Sequence, residues 1–148
     1  DEIGIWGVNM RMQPLQCVVV LEGLKRINKV IQIRNKNAQF MNAKLGGLQK
    51  NIRIVNQNNK SLHTYALYMV CVKKRNSLIK YLNSYGIEAK IHYPKPLCSQ
   101  KPYKKLGDKS RFPIAEKQSK EIITLPIHQY LNKKQLSYMV TKIKDFYK

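Results

Sequence analysis

Two short stretches carry side chains whose types and spacing suit the binding of an anion. In Gly7-Val8-Asn9-Met10-Arg11-Met12, Asn9 and Arg11 stand two apart, so an extended backbone points both to one side. An amide and a guanidinium offered together are donors for phosphate or carboxylate oxygens. Pro14 follows, suited to the first turn of a helix, where its missing N–H removes nothing that was paired. The alternative is a plain helix-entry turn with a solvent-facing Arg11, and local chemistry leaves both open. The second stretch is His92-Tyr93-Pro94, at the end of a strand-like run. A ring N–H and a phenol hydroxyl there would donate to a phosphate oxygen, at the kind of strand end where α/β proteins place ligands. Ordinary strand-end residues are the equal alternative.

Other chemistry is sparse. His63, His92 and His128 lie far apart and lack metal-ligand spacing. No glycine-rich phosphate loop of either common pattern is present. The acids are too scattered to nominate a carboxylate pair. The expectation is no catalytic residue and no metal site within the chain itself.

The elements that must position these residues can be read from periodicity. A helix is predicted from about Pro14 to Leu45, with Val20, Leu24, Ile27 and Ile31 on one face. Val18 to Leu21 is apolar all round, which predicts burial on several sides and a bend before the more polar half. Gly46-Gly47 ends the helix, and residues 47–61 read as a loop. The apolar run Tyr65–Val72 predicts a central strand buried on both faces. Asn76 is expected to cap a short helix that Gly86 stops. Ile87 to Tyr93 alternates as a second strand with one wet face, ended by Pro94 and Pro96. Residues 97–112 read as irregular, followed by a helix from about Ile114 to Glu121 and a short strand, Ile122–Pro126. Asn132 to Gln135 resembles a capping box, with Leu136, Met139, Val140 and Ile143 as the buried stripe of a final helix. The pattern is an α/β (α+β) arrangement, a long helix followed by a small sheet covered by helices.

Composition sets the bounds. A chain of 148 residues with 43% hydrophobic content can bury a real core. Lys and Arg number 28 against 8 acids, a formal net charge of +20. That excess invites a polyanion, but it is spread over nearly every segment rather than gathered into a patch. Cys17, Cys71 and Cys98 form no CxxC pair, which fits a reducing compartment and no cysteine zinc site. No apolar run has the length of a membrane span, and Asp1-Glu2-Ile3-Gly4 does not read as a signal peptide. The expectation is a cytoplasmic protein.

Five stretches, in order along the chain, carry a family resemblance. They are Gly7-x-Asn9-x-Arg11-Met12-x-x-Leu15-Gln16 with Leu24-Lys25-Arg26 and Arg34; Gly86-Ile87-x-x-x-Ile91-His92-Tyr93-Pro94-x-Pro96-Leu97; Phe112-Pro113-x-Ala115-Glu116; and Leu125-Pro126-Ile127-His128. The chain resembles the C-terminal part of the DegT/DnrJ/EryC1/StrS family, pyridoxal-phosphate-dependent nucleotide-sugar aminotransferases. The resemblance implies a fold-type I architecture, with residues 1–50 as the tail of the large domain and 51–148 as the small C-terminal domain. It implies a composite site in a homodimer, in which Asn9 contacts the cofactor phosphate and Arg11, His92 and Tyr93 contact the sugar nucleotide. It implies pyridoxal phosphate, an amino-acid donor, a nucleotide-linked keto-sugar, and a lean towards 3-keto substrates. Two positions depart from the pattern: Cys98 stands where a second histidine is usual, and Ala66 stands where the strand often carries one. The family's cofactor-bonding lysine has no match here, so the chain is expected to act as a fragment, a truncated product or one half of a split enzyme, inactive alone. The other classes weighed are a small basic nucleic-acid-binding domain and a non-catalytic module that pairs with a separate large-domain chain. The tyrosines sit mostly within apolar stripes rather than in an RNA-binding motif, so nucleic acid is not the expected partner.

Overall fold

The computed structural model describes residues 11–55, 61–106 and 111–148. The described residues fall into two compact units, one drawn from residues 11–28 and 93–120, the other from residues 29–92 and 121–148. Asn9 and its turn lie outside the described residues.

The second unit is built on a three-stranded antiparallel sheet of order β1-β2-β3: β1 (Ile52–Ile54), β2 (Tyr68–Val72) and β3 (Ile122–Leu125). The apolar run read as a central strand is central. Val72 pairs with Ile52 on one side, and Tyr68 pairs with Leu125 on the other. Three helices supply the rest of the core: α2 (Ile27–Leu45), α3 (Arg75–Ser84) and α6 (Lys133–Phe146). Met41 and Leu45 of α2, Leu78 and Leu82 of α3, and Leu136, Met139, Val140 and Ile143 of α6 are all buried with Val70 and Ile123. Tyr68 is among the fully buried side chains, and its hydroxyl donates to Asn42 Oδ1 at 2.7 Å. A buried phenol needs such a partner.

Helix ends follow the sequence signals in two places. In α6, Gln135 N–H donates to Asn132 Oδ1 at 2.9 Å, and Asn132 N–H donates to Gln135 Oε1 at 3.0 Å, which makes a reciprocal capping box. Gly86, at φ 73, closes α3 in the left-handed region that glycine enters without penalty.

Several expectations are corrected. The stretch read as a loop contains β1, because Ile52 reaches the core while its neighbours are polar. Helix α3 begins at Arg75, capped by Lys74 in a left-handed conformation at φ 51, so Asn76 falls inside the first turn. Residues 87–93 do not form a full strand; one bridge, Lys90 with Thr124, joins them to β3. The amides of Ile87 and Ala89 are taken instead by Leu82 O and Asn83 Oδ1 at the end of α3, at 3.0 and 2.9 Å. The alternation itself holds, with Ile87 and Ala89 buried and Glu88 and Lys90 exposed.

The first unit holds α1 (Pro14–Leu24), a 3-10 turn at Leu97–Ser99, α4 (Lys101–Lys105) and most of α5 (Pro113–Glu121). The expected bend is a break. Helix α1 stops at Leu24, and Arg26 N–H bonds to Gly23 O at 3.1 Å; glycine weakens a helix interior at that point. The predicted burial of Val18–Leu21 is overturned for the chain as it stands. Leu15, Val18, Val19 and Leu21 are 77, 62, 67 and 61% exposed, and α1 has no buried residue. Where it is described, the stretch read as irregular holds the 3-10 turn at Leu97–Ser99 and α4, whose first turn Pro102 suits.

Candidate functional site

His92 is placed by the single bridge at the edge of β3. Lys90 N–H donates to Thr124 O at 3.1 Å, and Thr124 N–H donates to Lys90 O at 2.8 Å. His92 follows two residues beyond Lys90, in a bend of the chain. There its Nδ1 lies 2.9 Å from the hydroxyl of buried Thr124. A hydroxyl at that distance fixes the plane of the imidazole. Tyr93 follows at φ 60 and is 69% exposed. The left-handed region costs a side-chain-bearing residue about 1–2 kcal/mol, and strain of this kind gathers at functional positions.

The wall that carries His92 belongs to a cavity of about 760 Å³ within the second unit. Arg34, Thr124, His128, Lys134 and Tyr138 also line it. Its one acidic lining residue, Glu88, is ion-paired with Lys90, and that hydrogen bond holds the carboxyl below the usual range. Arg34 is anchored on the other side. Its Nε and Nη2 donate to Gln129 Oε1 at 3.3 and 3.2 Å, and Nη1 donates to Tyr65 O at 3.4 Å. One turn along α2, Asn37 Nδ2 donates to His128 O at 3.3 Å. A polar face of α2 thus holds both the entry to β2 and the turn after β3.

Of the residues singled out by sequence, the structure places His92 in this cavity. Arg11 is exposed in the first unit, on an open groove with Leu15 and Val19. Tyr93 belongs to the first unit as well, and Asn9 lies outside the described residues. Sequence reasoning carried Arg34 and His128 only as letters of motifs and passed over Lys134. Their convergence is tertiary, because Arg34 on α2 is 95 residues from Gln129 in the turn after β3, which leads directly into α6.

The described residues do not by themselves fit a pyridoxal phosphate. Forming an imine needs a lysine that is desolvated or otherwise activated. Every described lysine is exposed except the half-buried Lys142, whose ammonium sits 3.9 Å from the centre of the Tyr85 ring. Among the described residues no three His, Cys, Asp or Glu gather into a metal site. Cys71 is buried and accepts from Arg53 Nη2 at 3.1 Å; burial pushes its thiol up against the opposing pull of Arg53. Among the described residues no helix is long and apolar enough to cross a membrane.

Among the described residues, the helices and the small three-stranded sheet define an α/β class. The family model of the DegT/DnrJ/EryC1/StrS aminotransferases matches residues 2–144, and the chain belongs to that family. It is 30% identical over 126 residues to a UDP-2-acetamido-2-deoxy-3-oxo-D-glucuronate aminotransferase of Pseudomonas aeruginosa, covering 85% of this chain and 34% of the relative. It is 28% identical to a pleiotropic regulatory protein of Geobacillus stearothermophilus, over 97% of this chain and 39% of that one. A DegT DnrJ EryC1 StrS aminotransferase from Brucella abortus superposes with TM-score 0.83 at 26% identity, over 95% of this chain and 37% of that structure. The chain therefore spans little more than a third of the length of these relatives. Nothing in these likenesses supports a nucleic-acid-binding domain.

Proposed function

We propose that this chain is the C-terminal portion of a pyridoxal-phosphate-dependent aminotransferase that acts on a nucleoside-diphosphate keto-sugar, with an amino acid as donor. In this reading residues 1–50 complete a large domain and 51–148 form the small one. Asn9 donates to the cofactor phosphate, and Arg11, His92 and Tyr93 contact the sugar nucleotide. When bound, the cofactor supplies an electron sink and carries the amino group. This chain's own residues bind and orient the substrate. The imine-forming lysine comes from a large domain, either in a homodimer of longer chains or in a separate polypeptide.

The observation that carries the reading is the edge of β3. The motif His92-Tyr93-Pro94 stands where the extended stretch leaves the sheet, with the imidazole held by Thr124 Oγ1 at 2.9 Å. It faces a cavity in which cationic side chains outnumber acids. The exposed apolar surround of α1 is a second support. A helix apolar on all sides is stable when covered on more than one side, and a large domain would cover it.

The test is reconstitution. The chain mixed with pyridoxal phosphate alone is expected to give no aldimine absorbance at a defined lysine. Addition of a lysine-bearing large-domain polypeptide is expected to produce that absorbance together with amino transfer to a keto-sugar nucleotide. Reductive trapping of the cofactor on one specific lysine of the isolated chain would overturn the reading.

A further inference from the structure

The segment that enters β2 carries a histidine that the proposed substrate contacts do not use. We infer that His63 is a proton-operated latch: its neutral ring holds Tyr65 in a left-handed conformation, and protonation releases it. The inference uses none of Asn9, Arg11, His92 or Tyr93, so it stands or falls independently of the amino-transfer reading.

The first observation is the direction of one hydrogen bond. Tyr65 N–H lies 3.0 Å from His63 Nδ1. A backbone amide only donates, so this ring nitrogen accepts and carries no proton. The bond therefore belongs to the neutral imidazole with its proton on Nε2. The contact of His92 with Thr124 differs, because a hydroxyl donates or accepts and can serve either state of the ring. A protonated His63 would turn Nδ1–H towards the Tyr65 N–H, donor against donor, and the ring would have to swing away.

The second is what that bond restrains. Tyr65 sits at φ 48, a region that crowds any residue with a Cβ. Its N–H is held by His63, and its carbonyl accepts from Arg34 Nη1 at 3.4 Å. Its buried ring packs against His63 and Tyr68, with centroids 4.3 and 6.1 Å away. Asn35 Nδ2 donates to His63 O at 2.7 Å, which ties the histidine backbone to α2 while leaving the ring to move. Strained conformations persist only where the surroundings over-determine them. One proton on His63 removes the amide bond and the ring contact together, and the φ of Tyr65 is the two-state element they bias.

The third is the setting. His63 is exposed, so a proton reaches it without unfolding. It lines a cavity of about 260 Å³ with Asn42, Ile54, Val55, Tyr65 and Tyr68, and none of the described lining residues is acidic. The titratable and charged groups around it are the phenols of Tyr65 and Tyr68 and, through Tyr65 O, the Arg34 guanidinium of α2. No carboxylate of that lining offsets a new imidazolium, and the Arg34 cation opposes one. Ala66 and Leu67, next in the chain after Tyr65, line the cavity beside β3. Release of Tyr65 would therefore alter a wall of that cavity as pH falls.

The experiment is an NMR titration of the full chain from about pH 8 to about pH 5.5, the span in which histidine changes charge. Long-range proton–nitrogen spectra read the protonation of His63 Nδ1, and the three-bond HN–Hα coupling of Tyr65 reads its φ. At the upper end Nδ1 is expected to be bare and the coupling to be that of a positive φ. As the ring takes its proton, the Tyr65 coupling and the amides of Tyr65, Ala66 and Leu67 should change with the same midpoint. His63→Asn offers a side-chain oxygen to the amide two residues on and does not titrate, so Tyr65 should keep its high-pH signals throughout. His63→Ala should show the low-pH signals throughout. A Tyr65 coupling that stays constant while the His63 ring titrates would overturn the inference, and the wild-type chain alone supplies that result. So would a His63→Ala chain in which Tyr65 still responds to pH, since the response would then belong to His92 or His128.

Discussion

In α6 a reciprocal capping box opens the helix, and the four apolar residues that follow at helical spacing are all buried. Helix α1 opens with one arm of a similar device, Gln13 N–H on Gln16 Oε1 at 2.9 Å, and with a proline in its first turn. Yet its valines and leucines remain in water. The two helices differ in how apolar residues are arranged, not in how they start. A stripe three to four residues apart specifies one covered face, and α6 finds that cover within its own unit. An unbroken apolar girdle specifies cover on several sides, which the described residues do not provide. A buried stripe makes α6 a stabilising element of this chain, and an exposed girdle gives α1 no such role among the described residues.

The widest separation should come from truncating one side chain in each helix. Ile143 in α6 is 1% exposed, and Ile143→Ala is expected to cost about 2–5 kcal/mol through lost burial and the cavity left behind. Val18 in α1 is 62% exposed, and Val18→Ala should fall within about 0.5 kcal/mol. Urea unfolding of both variants measures the gap. Comparable losses would mean that α1 is covered in solution.

A smaller effect is expected on association. The double change Val19→Glu and Leu21→Glu should leave the unfolding midpoint of the isolated chain nearly unaltered. It should weaken binding to a large-domain polypeptide at least tenfold, about 1.4 kcal/mol, as read by titration calorimetry. An unaltered affinity would remove α1 from the interface. The next step down is Asn132→Ala, which deletes the α6 cap and should cost about 0.5–2 kcal/mol. The corresponding Gln13→Ala should cost less, because the bond from Gln13 to Gln16 Oε1 uses its backbone N–H.

The same contrast explains what could be read from sequence. Asn132, Gln135, Gly86 and the apolar run ending at Val72 declare themselves because cap, stop and central strand are local devices. Strand β1 is short, and only Ile52 among its three residues is fully buried, so its neighbours masked it. Residues 87–93 alternate as a strand does, but which amides remain available for a ladder depends on Leu82 and Asn83, outside the stretch. The site divides in the same way. His92 was legible as part of a contiguous motif. The approach of Arg34 and Lys134 to one cavity was not, since it depends on how α2 and α6 meet the sheet. Local chemistry could not distinguish a donor turn at Arg11 from a solvent-facing one, and Arg11 is exposed in the chain as described.

The smallest effect sharpens the comparison at high pH. Just beyond the end of α6, the Tyr147 hydroxyl donates to Lys73 O at 2.6 Å, and burial pushes the phenol up to about 12. Burial, with Tyr65 beside it, also drives Tyr68 above the ordinary phenol range. An unfolded tyrosine titrates near pH 10. The folded chain keeps the proton to higher pH, so this contribution is fully present below about pH 10 and is lost as pH rises through about 12. Helix α1 contains no tyrosine and should add nothing to that slope. Tyr147→Phe removes both the hydrogen bond and the titration, so the wild type should be the more stable below about pH 9, with the gap narrowing towards about pH 12. Unfolding free energies across that range decide it. A constant gap would mean that the phenol of Tyr147 titrates as it does in the unfolded chain, and that its bond to Lys73 leaves no mark on the proton.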